Sequence, residues 1–600
     1  MGGLRTNPYL YLAVAVIASA IYLGCIWSPP WLQDDVDAVQ AQIARNMISS
    51  GDWVTARLDG VPYLEKAPLL YWLIGFSYKI FGFTDVAARI PVAISSVALG
   101  LLMTGFGIWA FGRRAGFYAG LCMSTCVGVF LFTRIQIPDV MQTFTIALAL
   151  WAFLRAIDPE EQHPRLWAFL LAASIGVGLL LKSLIGVVFP AGTALVYLFF
   201  TKQLFSRDVW RRLRPLSGAL VVLAIAAPWY VLATLRNPPY FDFTLKSVPG
   251  QYHGFFWFFF INEQLLRFLN LRYPRDYNTV PRLYFWLFHL IWLFPWSVYL
   301  PAAFKLRYRA ADRASRTRLL AVCWIGVVLI FFTFSTTQEY YSMPCYPAFA
   351  LLLGSAMTLD DVWVRRGTRA LAAIAAVCVI TGFALWFIVR NTPTPGDISV
   401  ALSSHPKVYS LSLGHIEDLT IGALAYLRVP LLVATGAFLI GAVGNLLARG
   451  RNAFLASALM MIVFFHAARL ALIVFDPFLS SHALAEALVH SPPGELIVDH
   501  HYYEFSSIFF YTNRQALLLN GRYQNLVYGS YAPDASDVFI DDAQWKAIWL
   551  SPQRYYLAIK EEAVPRLRAL VGNDRLILVA ESGGKALFTN RQVELSASNL

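Results

Sequence analysis

Long apolar runs, cut by short charged or proline-containing breaks, fill this chain from about residue 9 to residue 475. A helix needs about 20 apolar residues to cross the hydrocarbon of a bilayer. Read that way, the pattern predicts about thirteen membrane helices, at 9–27, 87–111, 115–133, 138–155, 165–181, 184–201, 216–235, 282–303, 319–335, 341–358, 369–389, 422–447 and 453–475. The stretch between the first two holds two apolar, aromatic pieces too short to span, Val39 to Met47 and Leu69 to Phe81. Helices of that kind lie in the interface plane and suit the approach of a lipid substrate. The stretch from Tyr240 to Arg282 is similar, with Phe255-Phe256-Trp257-Phe258-Phe259-Phe260 beside Asn262-Glu263-Gln264; an aromatic belt anchoring a neighbouring span has the same composition. After Asp476 the pattern changes. Strand-like runs at 495–498 and 576–580 alternate with charged helical segments such as 561–571, which predicts a small α/β domain. The expected architecture is mainly α: a transmembrane domain over 1–475 and an α/β domain over 476–600.

Basic residues sort the loops. Arg113-Arg114, then Arg155 and Arg165, then Lys202 to Arg214, Lys305 to Arg318, Arg365 to Arg369, and Arg449 with Arg451 fall in every second loop. Positive loops face the cytoplasm. The complementary set, 28–86, 134–139, 182–183, 236–281, 336–340, 390–421 and the tail, is therefore expected outside, with the N-terminus inside.

Composition agrees with the pattern. Of the 600 residues 58% are hydrophobic and only 14% charged, with mean hydropathy +0.55, against roughly 25% charge in a soluble domain. The net charge of +12 would suit a nucleic-acid partner, but its placement in alternate loops reads as topology, so none is expected. All six cysteines lie in or beside apolar runs, and neither a disulfide framework nor a zinc site is implied. The first apolar run lacks a basic leader and a small-residue cleavage site and is expected to remain as an anchor.

The predicted outer face gathers unusual chemistry from distant positions: Asp34, Asp35, Asp37, Glu65, Lys66, Asp139, Lys182, Glu263, Arg267, Glu339 and Tyr341. Charge held against a lipid-embedded body needs partners or a purpose. Each residue also has a plainer reading. The aspartates suit a helix cap, Lys66 a snorkelling side chain, and Asp139 a first-turn acid favoured by the helix dipole. Asp499-His500-His501 invites a metal, but adjacent residues of a strand point to opposite faces, and these histidines are expected at the surface.

The acidic pair Asp34-Asp35, the run Tyr63-Leu64-Glu65-Lys66-Ala67-Pro68-Leu69-Leu70-Tyr71-Trp72, Arg134-Ile135-Gln136-Ile137-Pro138-Asp139, Leu181-Lys182-Ser183, Asn262-Glu263-Gln264-Leu265-Leu266-Arg267 and Tyr341-Ser342-Met343-Pro344 resemble the C-type, polyprenyl-phosphate-dependent membrane glycosyltransferases. Within that class the chain looks most like the aminoarabinose transferases that modify lipid A and their protein mannosyltransferase relatives. The resemblance implies a polyprenyl-phosphate (undecaprenyl-phosphate) sugar as donor, a lipid or glycolipid acceptor on the non-cytoplasmic face, transfer with inversion, and a monomer surrounded by membrane lipid. It assigns Lys66, Lys182 and Arg267 to the donor phosphate, with Tyr341 and Glu339 beside them. Asp34, Asp35, Asp37 and Asp139 become the candidate catalytic acids, and Glu65 a partner of Lys66 or, with Asp139, a ligand of a divalent metal. Two departures, Lys182-Ser183-Leu184 for Lys-Gly-Pro and Thr337-Gln338-Glu339-Tyr340-Tyr341 for Lys-Leu-Pro-Thr-Tyr, leave the sugar and acceptor open. A lipid-linked sugar transporter and a protein O-mannosyltransferase remain as alternatives.

Overall fold

The computed structural model describes residues 8–274, 280–335, 337–359, 361–402 and 419–592. Parts of the predicted loops 236–281 and 390–421 and the chain ends thus lie outside the described residues. The chain is a mainly helical, multi-spanning membrane protein carrying a small sheet domain. Among the described residues eight helices are long and apolar enough to cross a membrane: Asp85–Phe111, Asp139–Ile157, Pro164–Lys182, Arg207–Arg236, Arg313–Thr333, Val362–Val389, Arg428–Leu447 and Arg451–Leu479. Every predicted span contains helix, but several are interrupted. The 115–133 stretch breaks at Cys126, whose extended backbone separates Arg113–Thr125 from Val127–Phe132. The 282–303 stretch is two helical pieces bent by 95°, a ninth crossing if taken together. The 341–358 stretch opens as a 3-10 turn, Glu339–Cys345, before Tyr346–Ala356. An apolar count does not see such breaks, because it registers no backbone hydrogen bond.

The two short pieces of the first loop are helices, Val36–Ser50 and Leu69–Phe81. The first is a wedge. Ala38, Ala41 and Ala44 pack into the core of the helical body, while Val39, Ile43 and Met47 pack against residues of the sheet domain. Helical spacing puts those two sets on different faces. A small hairpin follows, β1 (Arg57–Leu58) and β2 (Val61–Pro62).

The sheet domain has β3 (Glu495–Asp499), β4 (Ala516–Leu519), β5 (Phe539–Ile540), β6 (Tyr555–Lys560), β7 (Ile577–Ser582) and β8 (Lys585–Thr589), in the order β5-β4-β3-β6-β8-β7. β5, β4, β3 and β6 run parallel and the β8–β7 pair antiparallel. Its core strands are covered on both sides, as parallel strands require: Leu496 and Val498 face the wedge helix, and Ile497, Leu557 and Ile559 face Trp545 and Trp549. Lys560 at the end of β6 lies opposite Lys585 at the start of β8. This rim of the sheet abuts the first loop.

Candidate functional site

A cavity with about 670 Å³ of empty volume opens at the loop-bearing end of the helical body, walled by the first loop, the 181–185 turn, the segment after Phe255, and residues 331–341. Glu65, Lys66, Lys182, Glu263, Arg267 and Tyr341 line it, with Phe259, Phe268, Phe331 and Phe332 as its apolar wall. Local structure explains the aim of each polar side chain. Lys182 ends the helix Pro164–Lys182, where its charge complements the dipole, and the chain reverses through Ser183 at φ 63. The turn is tight because Gly178 meets Gly186: a Cβ on Gly186 would stand 2.6 Å from the Gly178 carbonyl carbon. Lys182 Nζ sits 2.5 Å from Asp139 Oδ1, and 4.9 Å and 4.8 Å from the ring centres of Tyr340 and Tyr341. Asp139, in turn, opens the helix Asp139–Ile157, the end where a carboxylate is favoured.

Residues Trp257–Leu266 form a π-helix, a rare geometry that recurs at functional sites. At its end Glu263 accepts from Arg267 Nη1 at 2.9 Å and from Arg272 Nε. Arg272 is buried and also lies 4.0 Å from Glu65. Glu65 accepts from Lys66 Nζ at 2.6 Å and from the Tyr63 hydroxyl at 3.0 Å. Four cations, Lys66, Lys182, Arg267 and Arg272, therefore meet three carboxylates, Glu65, Glu263 and Asp139, around one cavity. The surplus is positive. Burial would raise the Glu65 carboxyl, but Lys66, then Arg272 and Arg267, outweigh it and hold the group well below the usual carboxylate range. Glu65 is a fixed anion that orients cations, and a poor base. Glu65 and Asp139 are each engaged by a lysine, and among the described residues no group of three or more His, Cys, Asp or Glu could hold a metal.

The remaining predicted residues stand outside the lining. Asp37 is buried 3.7 Å from Arg89, and Arg89 donates to the carbonyls of Ile26, Pro29 and Trp31; the pair holds the first loop on the helices. Glu339 is buried with Oε2 unpartnered, and burial pushes its carboxyl up to about 7. The Asp34 carboxylate accepts from Ser481 Oγ at 2.5 Å, Lys585 Nζ at 2.6 Å and the Ser507 amide at 2.7 Å. Asp35 has φ 72 and ψ −142, outside the regions open to side-chain-bearing residues. Burial first, then the Asp34 carboxylate, push its carboxyl up to about 7, against the Val36 amide, which lowers it. Tyr503 ties the Asp35 backbone to the cavity wall: its carbonyl accepts from the Asp35 amide at 2.6 Å, and its hydroxyl donates to the Tyr63 hydroxyl at 2.8 Å, which donates to Glu65.

Sequence reasoning missed Arg272, Tyr503 and Lys585. Arg272 had a signal, as a cation in a loop where the charge rule expects few. The others sit in the tail, where nothing in the local pattern points toward the helical body. Of the two histidines, His500 is exposed as expected and His501 is a correction: it is buried and stacked on Tyr503, because the strand ends at Asp499 and His500 turns at φ 61.

A second, apolar groove of about 1200 Å³ runs between the helices Ile185–Phe200 and Arg313–Thr333. Gly192, Val196, Val322, Val327 and Ile330 line it, and Phe331 lines both it and the charged cavity. Val322 and Ile330 are exposed at 44% and 56%, so the groove opens on the side of the body that meets lipid.

Helical body and capping sheet domain resemble those of known polyprenyl-phosphate-dependent membrane glycosyltransferases, and the resemblance read from the sequence is borne out. Residues 65–231 match the dolichyl-phosphate-mannose-protein mannosyltransferase family. The chain is similar to undecaprenyl phosphate-alpha-4-amino-4-deoxy-L-arabinose arabinosyl transferases, at 27% identity with that of Aeromonas salmonicida over 62% of this chain and 63% of the relative. With that of Pseudomonas fluorescens it is 28% identical over 68% of this chain and 70% of the relative. The chain thus spans a little under two thirds of the first relative's length. The crystal structure of ArnT from Cupriavidus metallidurans bound to undecaprenyl phosphate superposes with TM-score 0.76 at 20% identity, covering 98% of this chain and 99% of that one. The Archaeoglobus fulgidus oligosaccharyltransferase shares the fold more distantly, with TM-score 0.51 at 13% identity over 98% of this chain and 74% of that one.

Proposed function

We propose that the protein transfers a monosaccharide from an undecaprenyl-phosphate donor to an envelope glycolipid such as lipid A, with inversion, and that the sugar is of the aminoarabinose type named for its relatives. The observation that carries this reading is the cavity's cationic surplus joined through Phe331 to an apolar groove: charge for a phosphate, and a lipid-facing channel for its prenyl chain. As the bond between the sugar C1 and the phosphate oxygen breaks, negative charge grows on the leaving phosphate. Lys66, Lys182, Arg267 and Arg272 are placed to take it, the arginines by a forked grip and the lysines as point charges. Glu65, Glu263 and Asp139 hold those cations in position before the donor arrives. The acceptor oxygen attacks C1 from the opposite side, and its proton passes to the Asp34–Asp35 pair. Asp35 is the better base of the two, because its carboxyl titrates near neutrality, while Asp34 is occupied by three donors.

The topology belongs to the same reading. Two of the shorter apolar helices, Pro8–Tyr22 and Ile185–Phe200, the bent pair and the broken 115–133 and 341–358 stretches bring the eight long helices to thirteen crossings, with Leu69–Phe81 left in the interface plane. Alternate basic loops support an N-terminus in the cytoplasm and a cavity and tail outside, in the bacterial inner membrane. The test is transfer in proteoliposomes from undecaprenyl-phosphate aminoarabinose to lipid A. Arg267→Ala and Lys66→Met should each lower the rate about 100-fold or more without loss of insertion. Translocation of the donor without transfer would replace this reading with a transporter.

A further inference from the structure

The tail domain grips the acidic pair of the first loop along its whole backbone. The Asp34 amide donates to the Leu479 carbonyl at 2.7 Å and the Asp35 amide to the Tyr503 carbonyl at 2.6 Å. Ser506 Oγ donates to the Asp35 carbonyl at 3.1 Å. The Asp34 side chain is held by Ser481, the Ser507 amide and Lys585, and Lys585 also donates to Ser481 Oγ at 3.1 Å. Lys585 and Asp34 are both nine-tenths or more buried at their side chains, 8% and 7% exposed. All of these partners come from beyond residue 478, more than 440 positions away in the chain. Between them sits Asp35 at φ 72 and ψ −142. A non-glycine residue in that region returns to an ordinary conformation unless its surroundings over-determine it, and such residues cluster where geometry is functional. Here every bond that does the over-determining, apart from the wedge helix that begins at Val36, is supplied by the tail.

We propose that the C-terminal domain is a working part of the active site, with Lys585 and Ser506 as positioning residues: Lys585, through Asp34, and Ser506, through the Asp35 carbonyl, hold Asp35 in the orientation from which it receives the acceptor proton. This rests on the reading of Asp35 as the base. A burial role for Lys585 alone leaves the Ser506 and Tyr503 bonds to the strained Asp35 backbone unexplained. The clamp also accounts for a tail whose sheet rim, where β6 ends and β8 begins, is turned toward the membrane body.

The experiment compares full-length wild type with Lys585→Met, Lys585→Arg, Ser506→Ala and Asp35→Asn in lipid nanodiscs, measuring kcat and donor KM on the folded, monodisperse fraction of each. A positioning role predicts that Lys585→Met lowers kcat about 100-fold, the scale of a 1 Å misplacement, with donor KM unchanged because the donor cations lie elsewhere. Lys585→Arg should recover most of the rate, and Ser506→Ala should lose about tenfold by the same argument. If Lys585→Met does not fold, Ser506→Ala and Lys585→Arg carry the test, since neither removes a charge. Asp35→Asn inactive with Lys585→Met and Ser506→Ala at wild-type kcat overturns the clamp alone. Asp35→Asn that still transfers overturns the base, and the clamp with it.

Discussion

Two carboxyl groups of the first loop sit in opposite fields. Glu65 is pinned as an anion by Lys66 and two arginines, whereas Asp35 is half-buried, desolvated beside another aspartate and near Glu504, and its carboxyl is pushed up to about 7. Neighbouring acids driven apart in this way divide fixed charge from proton transfer. The sign of the pH dependence follows. Asp35 is protonated below about 7 and cannot accept a proton there, so transfer to a hydroxyl acceptor should rise through pH 6–8 and level off above. The profile of kcat against pH in nanodiscs checks this; a flat profile through that window would assign the attack to an acceptor oxygen already ionised, such as a phosphate. The residue identities behind this division were readable in the sequence, since Asp35, Glu65 and Lys66 stand in recognisable runs. Their environments were not. Nothing near Asp35 in the chain shows that Ser506 and Tyr503 hold it.

At the scale of elements, periodicity located the helices and both short pieces of the first loop, since an apolar face repeats at helical spacing whatever covers it. It was blind to hydrogen-bond register, and so to the break at Cys126, the 3-10 turn at Glu339 and the π-helix that presents Glu263 to two arginines. It also missed what covers each face. The hairpin β1–β2 is held by the tail, with Arg57 paired to Asp534 and Gly529 against the Pro62 carbonyl. A Cβ on Gly529 would stand 1.9 Å from that carbonyl oxygen, and both partners are backbone, so neither can swing away. Gly529→Ala should therefore displace the hairpin at a cost of about 1–3 kcal/mol. Hydrogen exchange at residues 57–62 should speed up first, ahead of the sheet, and a lower thermal midpoint without that local change would point to a different origin.

For the whole molecule, the division into an apolar body and a mixed tail was legible from composition, and alternate loop charge assigned one face to the site. The closure of the tail over that face was not, because its contacts join residues hundreds of positions apart. Tyr528 shows the arrangement: its hydroxyl donates to the Gly254 carbonyl and accepts from the His253 amide, both at 2.9 Å, and its ring stacks on Phe258 at 4.1 Å. One tail helix, Asn525–Gly529, thus touches both loops that wall the cavity. The groove beneath Phe331 has a consequence of another kind. A donor that enters sideways never leaves the bilayer, so its supply is set by its share of the lipid and not by moles per litre. Diluting the donor with inert detergent or lipid at constant bulk concentration should raise the KM expressed per bulk volume in proportion, while diluting the whole mixture with buffer should leave the turnover per enzyme unchanged. The reaction proposed here is a two-dimensional one, and its affinities belong in mole fractions.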